Sequence, residues 1–540
     1  MNILGICGGI RLGNWDSAAA LIIDGNVIAA VEEERFTRVK HAPGNLPTYA
    51  IQYCLEEGGL DIQDIDVVVF PGRTYKNMKE RLSEYFRFCF GHAPKIELCD
   101  HHEAHAASAY FTSGYSEALV ITFDFSGDGR ATTISHGKGN RLELLKHWDF
   151  PQSLGLFYAM ITQHLGFDFG EDEYKVMGLA SYGRPSIDLS WLLRSDGGDY
   201  SLAPGILRTT GAGEPPLSPQ ERFYGSELEA RVGPARKKKG ELQAIQQDLA
   251  ASAQRQLELT VLSMVKAYMG RSGTRNLCLA GGVAMNCVMN QKIAESGHVD
   301  SIYLPPAAGD AGLALGAALL AALPESSTPR ERLPTAALGP GYPADEIKKA
   351  LDEVGAKYRE ASDCAAVAAE AIAAGRIVGW YQGRMEYGAR ALGHRSILAD
   401  PRRAEMKDRV NAVVKFREGF RPFAPSVIVT EAKSYFEKVY ATPFMNSTFT
   451  VRPEAREQIP AVTHADGTAR VQTVDSKAEP LYHQLISEVG KRTGIPVVLN
   501  TSFNIKGQPI VENPYQAIST FFGSGLELLV AGPYVIEKHR

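Results

Sequence analysis

Histidine and carboxylate side chains with a spacing suited to a metal ion occur in the segment Asp100-His101-His102-Glu103-Ala104-His105. His101 and His105 are four residues apart, so on a helix both imidazoles would lie on one face and could bind one metal ion. Asp124 follows an apolar run at residues 118–123, typical of a buried strand, and opens an acidic, glycine-rich turn. A polar helix start with solvated histidines would fit the same pattern. We interpret His101, His105 and Asp124 as a candidate metal site.

A second group of chemically suitable residues is the arginine-rich segment at residues 384–421. It contains ten cations against five anions, and several of its arginines lie beside glycine or proline. Guanidinium groups on tight turns suit bidentate capture of phosphate or carboxylate, and a solvated basic face is the alternative interpretation. The turns at residues 464–470 and 498–504 add hydroxyls, amides and one more arginine.

Three shorter features have two interpretations each. The Gly281-Gly282 turn follows an apolar run, and its backbone N–H groups would suit an adenosine or phosphate group, or its glycines would allow close packing. Asp310 lies between small residues before an apolar segment, and it fits a helix N-cap or a further metal ligand. Lys175, in an acidic loop, fits a salt bridge or a phosphate contact.

Secondary-structure patterns indicate a duplicated α/β domain that would position these groups. Residues 3–31 predict a strand, a glycine turn and a hairpin, which is the beginning of an actin-like (RNase H-like) nucleotide-binding half. Residues 116–136 repeat this order, so we expect two halves with a cleft between them. A Pro-, Ser- and charge-rich stretch at residues 324–345 indicates a linker. We therefore predict one domain over residues 1–335 and a second over residues 345–540.

Composition argues against several classes of protein. The chain has 540 residues, of which 22% are charged, and a formal net charge of −5, so nothing global indicates nucleic-acid binding. Seven scattered cysteines, none spaced C-x-x-C, argue against a disulfide scaffold or a thiolate zinc site. We find no targeting segment and no apolar run long enough to span a bilayer. We expect a cytoplasmic protein without nucleic-acid or membrane partners.

Together the motifs resemble those of one family, the ATP-dependent carbamoyltransferases that decorate antibiotics and nodulation factors. They occur in order along nearly the full chain. The tRNA threonylcarbamoyladenosine enzymes are looser relatives that share the metal motif. The motifs are Asp16-Ser17-Ala18-Ala19-Ala20, Glu33-Glu34-Arg35-Phe36-Thr37-Arg38, His101 to His105, Asp124 in its turn, Lys175-Val176-Met177-Gly178-Leu179-Ala180, Gly281-Gly282-Val283-Ala284-Met285-Asn286, Arg390-Ala391-Leu392-Gly393-His394-Arg395-Ser396-Ile397, Arg421-Pro422-Phe423-Ala424-Pro425 and Leu499-Asn500-Thr501-Ser502-Phe503-Asn504.

The resemblance implies an N-terminal actin-like (ASKHA) domain with a metal, described in the family as Fe(II), and a C-terminal YrdC-like α+β domain for carbamoyl phosphate and ATP. Carbamoyl-adenylate would form in the C-terminal domain, and an acceptor hydroxyl would take the carbamoyl group in the N-terminal domain. The implied metal ligands are His101, His105, Asp124 and Asp310. Two imidazoles and two carboxylates also suit Mn(II) or Zn(II), and Mg(II) is expected to accompany ATP.

The resemblance also implies roles for individual residues. Catalytic roles are predicted for Asp16, Lys175 and Arg395. Nucleotide contacts are predicted for Gly127, Asp128, Gly129, Gly281, Gly282 and Asn286. Phosphate and substrate contacts are predicted for Arg384, Arg390, Arg395, Ser396, Lys415, Arg417, Arg421, His464, Arg470, Asn500, Ser502 and Asn504.

The sequence departs from the family at the first turn, where His-Asp is usual and Trp15-Asp16 stands here. Asp16 is therefore our candidate for the base that deprotonates the acceptor. The expected partner is a small molecule, such as an antibiotic precursor or a sugar in secondary metabolism. Three alternatives are an amine acceptor, a tRNA threonylcarbamoyladenosine-type synthase, and a nucleotide-dependent regulatory or chaperone-like actin-fold protein. The oligomeric state is open, with a homodimer as one option.

Overall fold

A computed structural model describes residues 1–9, 16–207, 222–322 and 331–538. Within these ranges the fold is mixed α/β and is built on two five-stranded sheets followed by one eight-stranded sheet. Trp15 and part of the predicted linker lie outside the described residues. No helix in the described ranges is long and apolar enough to cross a membrane.

The two five-stranded sheets repeat one strand order. In both, the first strand is antiparallel to the second and parallel to the fourth, giving the order 3-2-1-4-5. The repeated strand order agrees with the predicted duplication of an α/β unit. The first sheet contains β1 (Asn2–Cys7), β2 (Ala18–Ile23), β3 (Asn26–Glu32), β4 (Val67–Pro71) and β5 (Lys95–Cys99). The second contains β6 (Glu117–Gly127), β7 (Arg130–Lys138), β8 (Arg141–Asp149), β11 (Asn276–Ala280) and β12 (Ser301–Tyr303), and a separate ribbon is formed by β9 (Leu193–Asp196) and β10 (Asp199–Leu202).

The helices of this part cover the two sheets. Their bounds are α1 (Glu34–Thr37), α2 (Thr48–Gly58), α3 (Met78–Phe90), α4 (His101–Tyr110), α5 (Leu154–His164), α6 (Glu173–Ala180), α7 (Ser226–Val232), α8 (Ala244–Ser272), α9 (Cys287–Glu295) and α10 (Gly312–Ala322). Helices α4 and α10 meet backbone to backbone, because a Cβ on Gly316 would lie 1.8 Å from the carbonyl oxygen of Ala104. Apart from its solvent-side end, α10 is made of small and apolar buried residues, as its sequence predicts.

The eight-stranded sheet belongs to the C-terminal part, and its strand order is β13-β22-β21-β14-β15-β20-β16-β19. Its YrdC-like character stays a prediction. The strands are β13 (Tyr358–Glu360), β14 (Val378–Tyr381), β15 (Arg395–Ala399), β16 (Ala424–Ile428), β19 (Gln472–Val474), β20 (Val497–Ser502), β21 (Leu528–Ala531) and β22 (Tyr534–Glu537), with a ribbon of β17 (Thr448–Thr450) and β18 (Thr468–Arg470). The helices are α11 (Ala344–Glu353), α12 (Cys364–Ala373), α13 (Glu405–Val410), α14 (Ala432–Tyr435), α15 (Pro453–Arg456), α16 (Pro480–Thr493) and α17 (Pro514–Phe522).

The two parts share one apolar core. Tyr387, Leu392 and Phe444 of the C-terminal part pack in the same buried cluster as residues of α4, α10 and β1. Burial of apolar area is the main favourable term in association, so this shared core holds the two parts together. Each part contributes one candidate site, as described next.

Candidate metal centre and cationic cluster

The start of helix α4 is fixed by two carboxylates. The side chain of Asp100 caps the helix by accepting hydrogen bonds from the backbone N–H groups of His102 and Glu103. Asp128 accepts a hydrogen bond of 2.9 Å from the backbone N–H of His101. A Cβ on Gly127 would lie 2.1 Å from the His101 ring, so only glycine lets that ring take its place. The sequence motif thus orients the first histidine before any ligand binds.

Four predicted ligands meet at one point. The Nε2 atoms of His101 and His105 lie 3.2 and 2.9 Å from Oδ2 of Asp124. The same two nitrogens lie 4.0 and 3.4 Å from Oδ1 of Asp310. One ligand atom from each residue falls within 4.8 Å of all the others. Two residues come from α4, one from the end of β6, and one from the loop before α10.

These spacings fit a coordination shell. Ligand atoms held about 2.1 Å from a metal lie about 3.0 to 4.2 Å from one another. The donor set, two imidazoles and two carboxylates, suits Fe(II), Mn(II) or Zn(II). His102, which falls between the two ligands in sequence, points elsewhere and bonds through Nδ1 to the Thr122 hydroxyl at 2.7 Å. The residues present therefore fit a metal ion.

Burial and mutual contact shift the pKa values of this centre in opposite directions. Burial alone would lower the pKa of His105, but hydrogen bonds with Asp124 and Asp310 raise it to about 9. Burial would raise the pKa of Asp124, and its hydrogen bonds with the two histidines hold that pKa well below the usual range. The pKa of Asp310 is raised, by burial and by the charge of Asp124. The two aspartates of the centre therefore differ in acidity, because the pKa of Asp124 is lowered and that of Asp310 is raised.

A cluster of cations lies in the C-terminal part, and we call Arg390, Arg417, Arg421 and Arg470 the cationic cluster. Burial and the charges of Arg470 and Arg421 lower the pKa of Arg390 to about 9. Burial and the charges of Arg421 and Arg470 do the same to the pKa of Arg417. Among the described residues, Arg390, Arg417 and Arg470 form no ion pair, and Arg421 reaches Glu418 only at 3.6 Å. The cluster therefore concentrates positive charge with little compensation.

Lys415 adds a further positive charge near Arg417 and Arg421. Lys415 is 5% exposed, and its ammonium group donates to the side chains and carbonyls of Ser502 and Asn504, with no carboxylate partner in the part of the chain that the structure describes. Burial and the charges of Arg417 and Arg421 lower its pKa well below the usual value. An uncompensated buried cation is unfavourable, so this region suits a strongly anionic ligand.

Four predicted phosphate-binding residues are already engaged with the protein itself. Arg395 is fully buried, and its guanidinium donates to the carbonyls of Gln382, Gly383 and Pro340. Arg384 donates to the carbonyls of Gly339, Ile28 and Leu338, which ties the two parts together. The Asn500 amide donates to the carbonyl of Ala391, and the Ser396 hydroxyl accepts from the Gly393 N–H. The geometry does not support phosphate binding by these four, nor a catalytic role for Arg395.

Two further predicted residues lie at the edge of the cluster. Lys175 forms a salt bridge of 2.8 Å with Asp172 and lies 3.5 Å from Glu418, so it contacts the C-terminal part across the interface. His464 is partly buried, and desolvation lowers its pKa to about 4, with Asp466 opposing and Arg470 reinforcing the shift. A neutral His464 therefore lies beside the cluster.

The predicted nucleotide-binding glycines have mixed surroundings. A Cβ on Gly281 would collide with the Phe123 carbonyl at 2.0 Å, and a Cβ on Gly282 would lie 3.4 Å from Oδ1 of Asp124. Asn286 is a helix N-cap that accepts from the Met289 N–H. Asp128 binds the backbone of residues 73 and 74 as well as that of His101, and Gly129, at φ +83°, completes the turn. Close packing explains Gly281, and Gly282 lies beside the metal ligand Asp124.

One short loop connects the metal centre to the cationic cluster. It begins at Gly282, beside Asp124, and reaches Cys287 five residues later, a span of at most about 18 Å. Burial raises the pKa of the Cys287 thiol, and the nearby charges of Arg470 and Arg390 oppose that shift. The two sites therefore lie at opposite ends of the same loop.

His41 is a partner of the predicted residue Asp16 that the sequence did not reveal. Its Nδ1 lies 2.7 Å from Oδ1 of Asp16, and the Asp16 N–H donates to the His41 carbonyl at 2.8 Å. Both residues have positive φ, which is uncommon for non-glycine residues and concentrates at functional sites. The Cys7 thiol bonds to the carbonyls of Asp16 and Asp310, so this pair borders the metal centre. A basic residue next to the charged segment Glu32–Lys40 was the only signal.

The similarity to known proteins covers nearly the whole chain. Nodulation protein NolNO of Sinorhizobium fredii is 40% identical over 563 residues, covering 97% of this chain and 79% of that protein. Nodulation protein NolO of Bradyrhizobium diazoefficiens is 40% identical over 455 residues, covering 81% of this chain and 79% of that protein. Among solved structures, component A of the (R)-2-hydroxyglutaryl-CoA dehydratase of Acidaminococcus fermentans has a TM-score of 0.35 at 17% identity and covers 59% of this chain and 96% of that chain.

Family models match both parts of the chain. The model described as carbamoyltransferase N-terminus matches residues 5–90 and 72–319, and the one described as carbamoyltransferase C-terminus matches residues 369–538. The metal centre falls within the first match and the cationic cluster within the second. The chain belongs to the carbamoyltransferase family.

Proposed function

We propose that this carbamoyltransferase uses carbamoyl phosphate and ATP to form carbamoyl-adenylate, and then transfers the carbamoyl group to a hydroxyl of a small-molecule acceptor. The observation that carries the proposal is the pairing of two unlike sites on one chain. One is a cluster of four arginines whose only ion-pair contact within the described ranges is that of Arg421 with Glu418 at 3.6 Å, and the other is a largely buried set of two imidazoles and two carboxylates. In this proposal the arginine cluster serves the formation of carbamoyl-adenylate, and the histidine–carboxylate set serves the transfer of the carbamoyl group.

Activation belongs to the cationic cluster. ATP and carbamoyl phosphate are both polyanions, and guanidinium groups would neutralise charge that develops on the phosphates. One water is consumed, the phosphoryl group of carbamoyl phosphate leaves as inorganic phosphate, and ATP loses pyrophosphate as its α-phosphate becomes bonded to the carbamate oxygen. In this proposal the phosphates are bound by the cationic cluster of Arg390, Arg417, Arg421 and Arg470, and Lys415 adds a further positive charge beside it. The C-terminal part would be the predicted YrdC-like domain.

Transfer belongs to the metal centre. His101, His105, Asp124 and Asp310 would hold an ion, with Fe(II) proposed first, and this ion would supply Lewis-acid polarisation of the carbamoyl oxygen. The acceptor oxygen attacks the carbamoyl carbon, the bond to AMP breaks, and the acceptor proton passes to the Asp16–His41 pair. The carboxylate fixes the imidazole through Nδ1, as an acid–base pair requires. This pair takes the place of the histidine that the family usually has at position 15.

The acceptor is proposed to be a sugar-like or natural-product hydroxyl. Two relatives that are 40% identical carry the name nodulation protein, which favours a small-molecule acceptor over tRNA. The net charge of −5 also argues against an RNA partner. An amine acceptor is the second candidate, because the same base and the same metal centre could also assist attack by a neutral amine nitrogen on the carbamoyl carbon.

The test is release of pyrophosphate by the purified protein. Pyrophosphate should appear only when ATP and carbamoyl phosphate are both present, and a carbamoylated product should appear when an acceptor panel of alcohols and amines is added. Arg470→Gln should abolish release, whereas Arg359→Gln, on an exposed edge strand, serves as the matched control. If metal-loaded protein releases no pyrophosphate with any acceptor, the proposal is wrong.

A further inference from the structure

A buried ion pair in the charged motif at residues 32–38 has no place in the chemistry above. Glu32 and Arg35 are 5% and 3% exposed, and their side chains meet at 3.0 Å between Oε1 and Nη2. A second carboxylate, Glu34, binds the other end of the guanidinium at 2.6 Å. In the sequence, this motif contributed only to the family resemblance, and the structure places the pair inside the protein.

Glu32 and Arg35 both form hydrogen bonds with the backbone of one glycine of the C-terminal part, Gly388. Oε1 of Glu32 accepts a hydrogen bond of 2.8 Å from the Gly388 N–H, and Nη2 of Arg35 donates one of 2.9 Å to the Gly388 carbonyl. Gly388 has a φ of +111°, and a Cβ there would lie 2.4 Å from the Pro306 carbonyl. A side chain cannot be accommodated, so backbone is held against backbone at this point.

The segment around Gly388 reaches both candidate sites. The Tyr387 hydroxyl donates to the carbonyl of Ala311, the residue after the predicted metal ligand Asp310. Arg390, two residues beyond Gly388, belongs to the cationic cluster. Beyond Arg390, one oxygen of the buried Glu386 accepts from the N–H groups of residues 392, 394 and 395. The loop that presents Arg390 is thus fixed at both ends by buried carboxylates.

The Glu32–Arg35 ion pair contributes little net stability to the contact between the two parts of the chain. Oε2 of Glu32 and Nε of Arg35 are buried without a hydrogen-bond partner among the described residues. Each such atom keeps its desolvation cost, and buried ion pairs are commonly no more stabilising than apolar contacts of the same size. The neighbouring apolar core already joins the two parts. Stability alone therefore does not account for Glu32 and Arg35.

We infer that Glu32 and Arg35 are positioning residues that set the place of Arg390 in the cationic cluster by holding Gly388. Arg38 adds a second anchor, donating to the carbonyls of Ile510 and Pro509 at 2.6 and 2.7 Å. The N-terminal part thereby helps to build the anion site of the C-terminal part. The inference rests on the proposed function, because it assigns Arg390 to the binding of carbamoyl phosphate or ATP.

The test uses Glu32→Gln and Arg35→Lys in the full chain. A shifted loop should lower kcat/KM for carbamoyl phosphate or ATP about tenfold to a hundredfold, mainly through KM, because small displacements of binding groups have effects of this size. The content of bound metal should stay that of the wild type. Arg376→Lys, which loses contacts to Glu537 and to the carbonyl of Glu527, controls for a weakened ion pair elsewhere.

A double-mutant cycle with Arg390→Gln separates positioning from stability. If Arg35 acts through Arg390, the double variant should be no worse than Arg390→Gln alone. Additive losses, or wild-type kinetics in Glu32→Gln and Arg35→Lys, would overturn the inference. Loss of cooperative melting in both variants would also overturn it, since the pair would then be a folding element. Failure of the proposed function is recognised separately, as a wild-type protein that releases no pyrophosphate.

Discussion

Nδ1 of His41 lies 2.7 Å from Oδ1 of Asp16, and both residues have a positive φ. Burial alone would lower the pKa of His41, and the hydrogen bond and charge of Asp16 raise it above its ordinary value. Glu34 adds to this rise and Lys40 opposes it. A pair of this kind orients a side chain and also makes its contribution to stability depend on pH.

The first prediction concerns that dependence. Because the folded pKa of His41 is raised, its stabilisation is fully present below the unfolded pKa of about 6.5 and is lost as pH rises through the folded pKa. His41→Gln should therefore lower stability by about 1 kcal/mol near pH 5.5 and by less near pH 8.5. Urea denaturation of both proteins measures the difference. A difference that grows with pH would contradict the ion pair, and His92→Gln, which is exposed, is the control.

The second prediction concerns the metal centre. His101→Ala should lose bound metal and carbamoyl transfer while it keeps pyrophosphate release, because the cationic cluster lies at the other end of the connecting loop. Elemental analysis and the pyrophosphate assay give the two readings. Equal loss of both activities would show that the division of labour between the two parts is wrong, and His92→Ala should behave like the wild type.

The third prediction concerns repulsion within the cationic cluster. Pyrophosphate should raise the melting temperature, since a ligand at about 100 times its Kd adds about 2.7 kcal/mol of stability. Arg470→Gln should melt higher than the wild type without ligand, because it removes a partly buried charge from a group of like charges, and it should gain less from pyrophosphate. Scanning fluorimetry measures both shifts. Equal stabilisation of the two proteins by pyrophosphate would exclude Arg470 from the anion site.

The fourth prediction separates Arg395 from the cluster. Arg395→Met should lower the free energy of unfolding by about 3 kcal/mol or more, because several buried carbonyls lose their donor at about 1–3 kcal/mol each. Arg421→Met should change stability little and should reduce pyrophosphate release. Melting curves and initial rates distinguish the two variants. An Arg395→Met variant that is as stable as the wild type but inactive would indicate that Arg395 binds substrate.

The fold followed from local patterns more readily than the site did. Alternating and apolar runs predicted β1, β2, β3 and β6, and their repetition predicted the duplicated sheet. Helix spacing placed His101 and His105 on one face, and the structure also brings Asp124 and Asp310 to them. These features depend on periodicity, which a sequence displays directly.

Partners that are distant in sequence escaped prediction. Arg395 was expected at a phosphate, but its carbonyl partners lie on loops near residues 340 and 382 that only the tertiary fold brings together. The Asp16–His41 pair depends on two left-handed backbone conformations, which residue types do not reveal. Burial of Glu32 and Arg35 depends on docking of the C-terminal part. Charge in a sequence shows where ions are, and not which of them face water.

The contact between Gly316 and the Ala104 carbonyl has a consequence for metal selectivity. Helix α4 carries both histidines, and Asp310 lies two residues before α10, so the spacing of these two helices influences the distances between the ligand atoms. One added methyl group at residue 316 would lengthen those distances and favour a larger ion such as Mn(II) over Zn(II). A residue that touches no ligand atom would then influence the choice of ion, with every coordinating side chain retained.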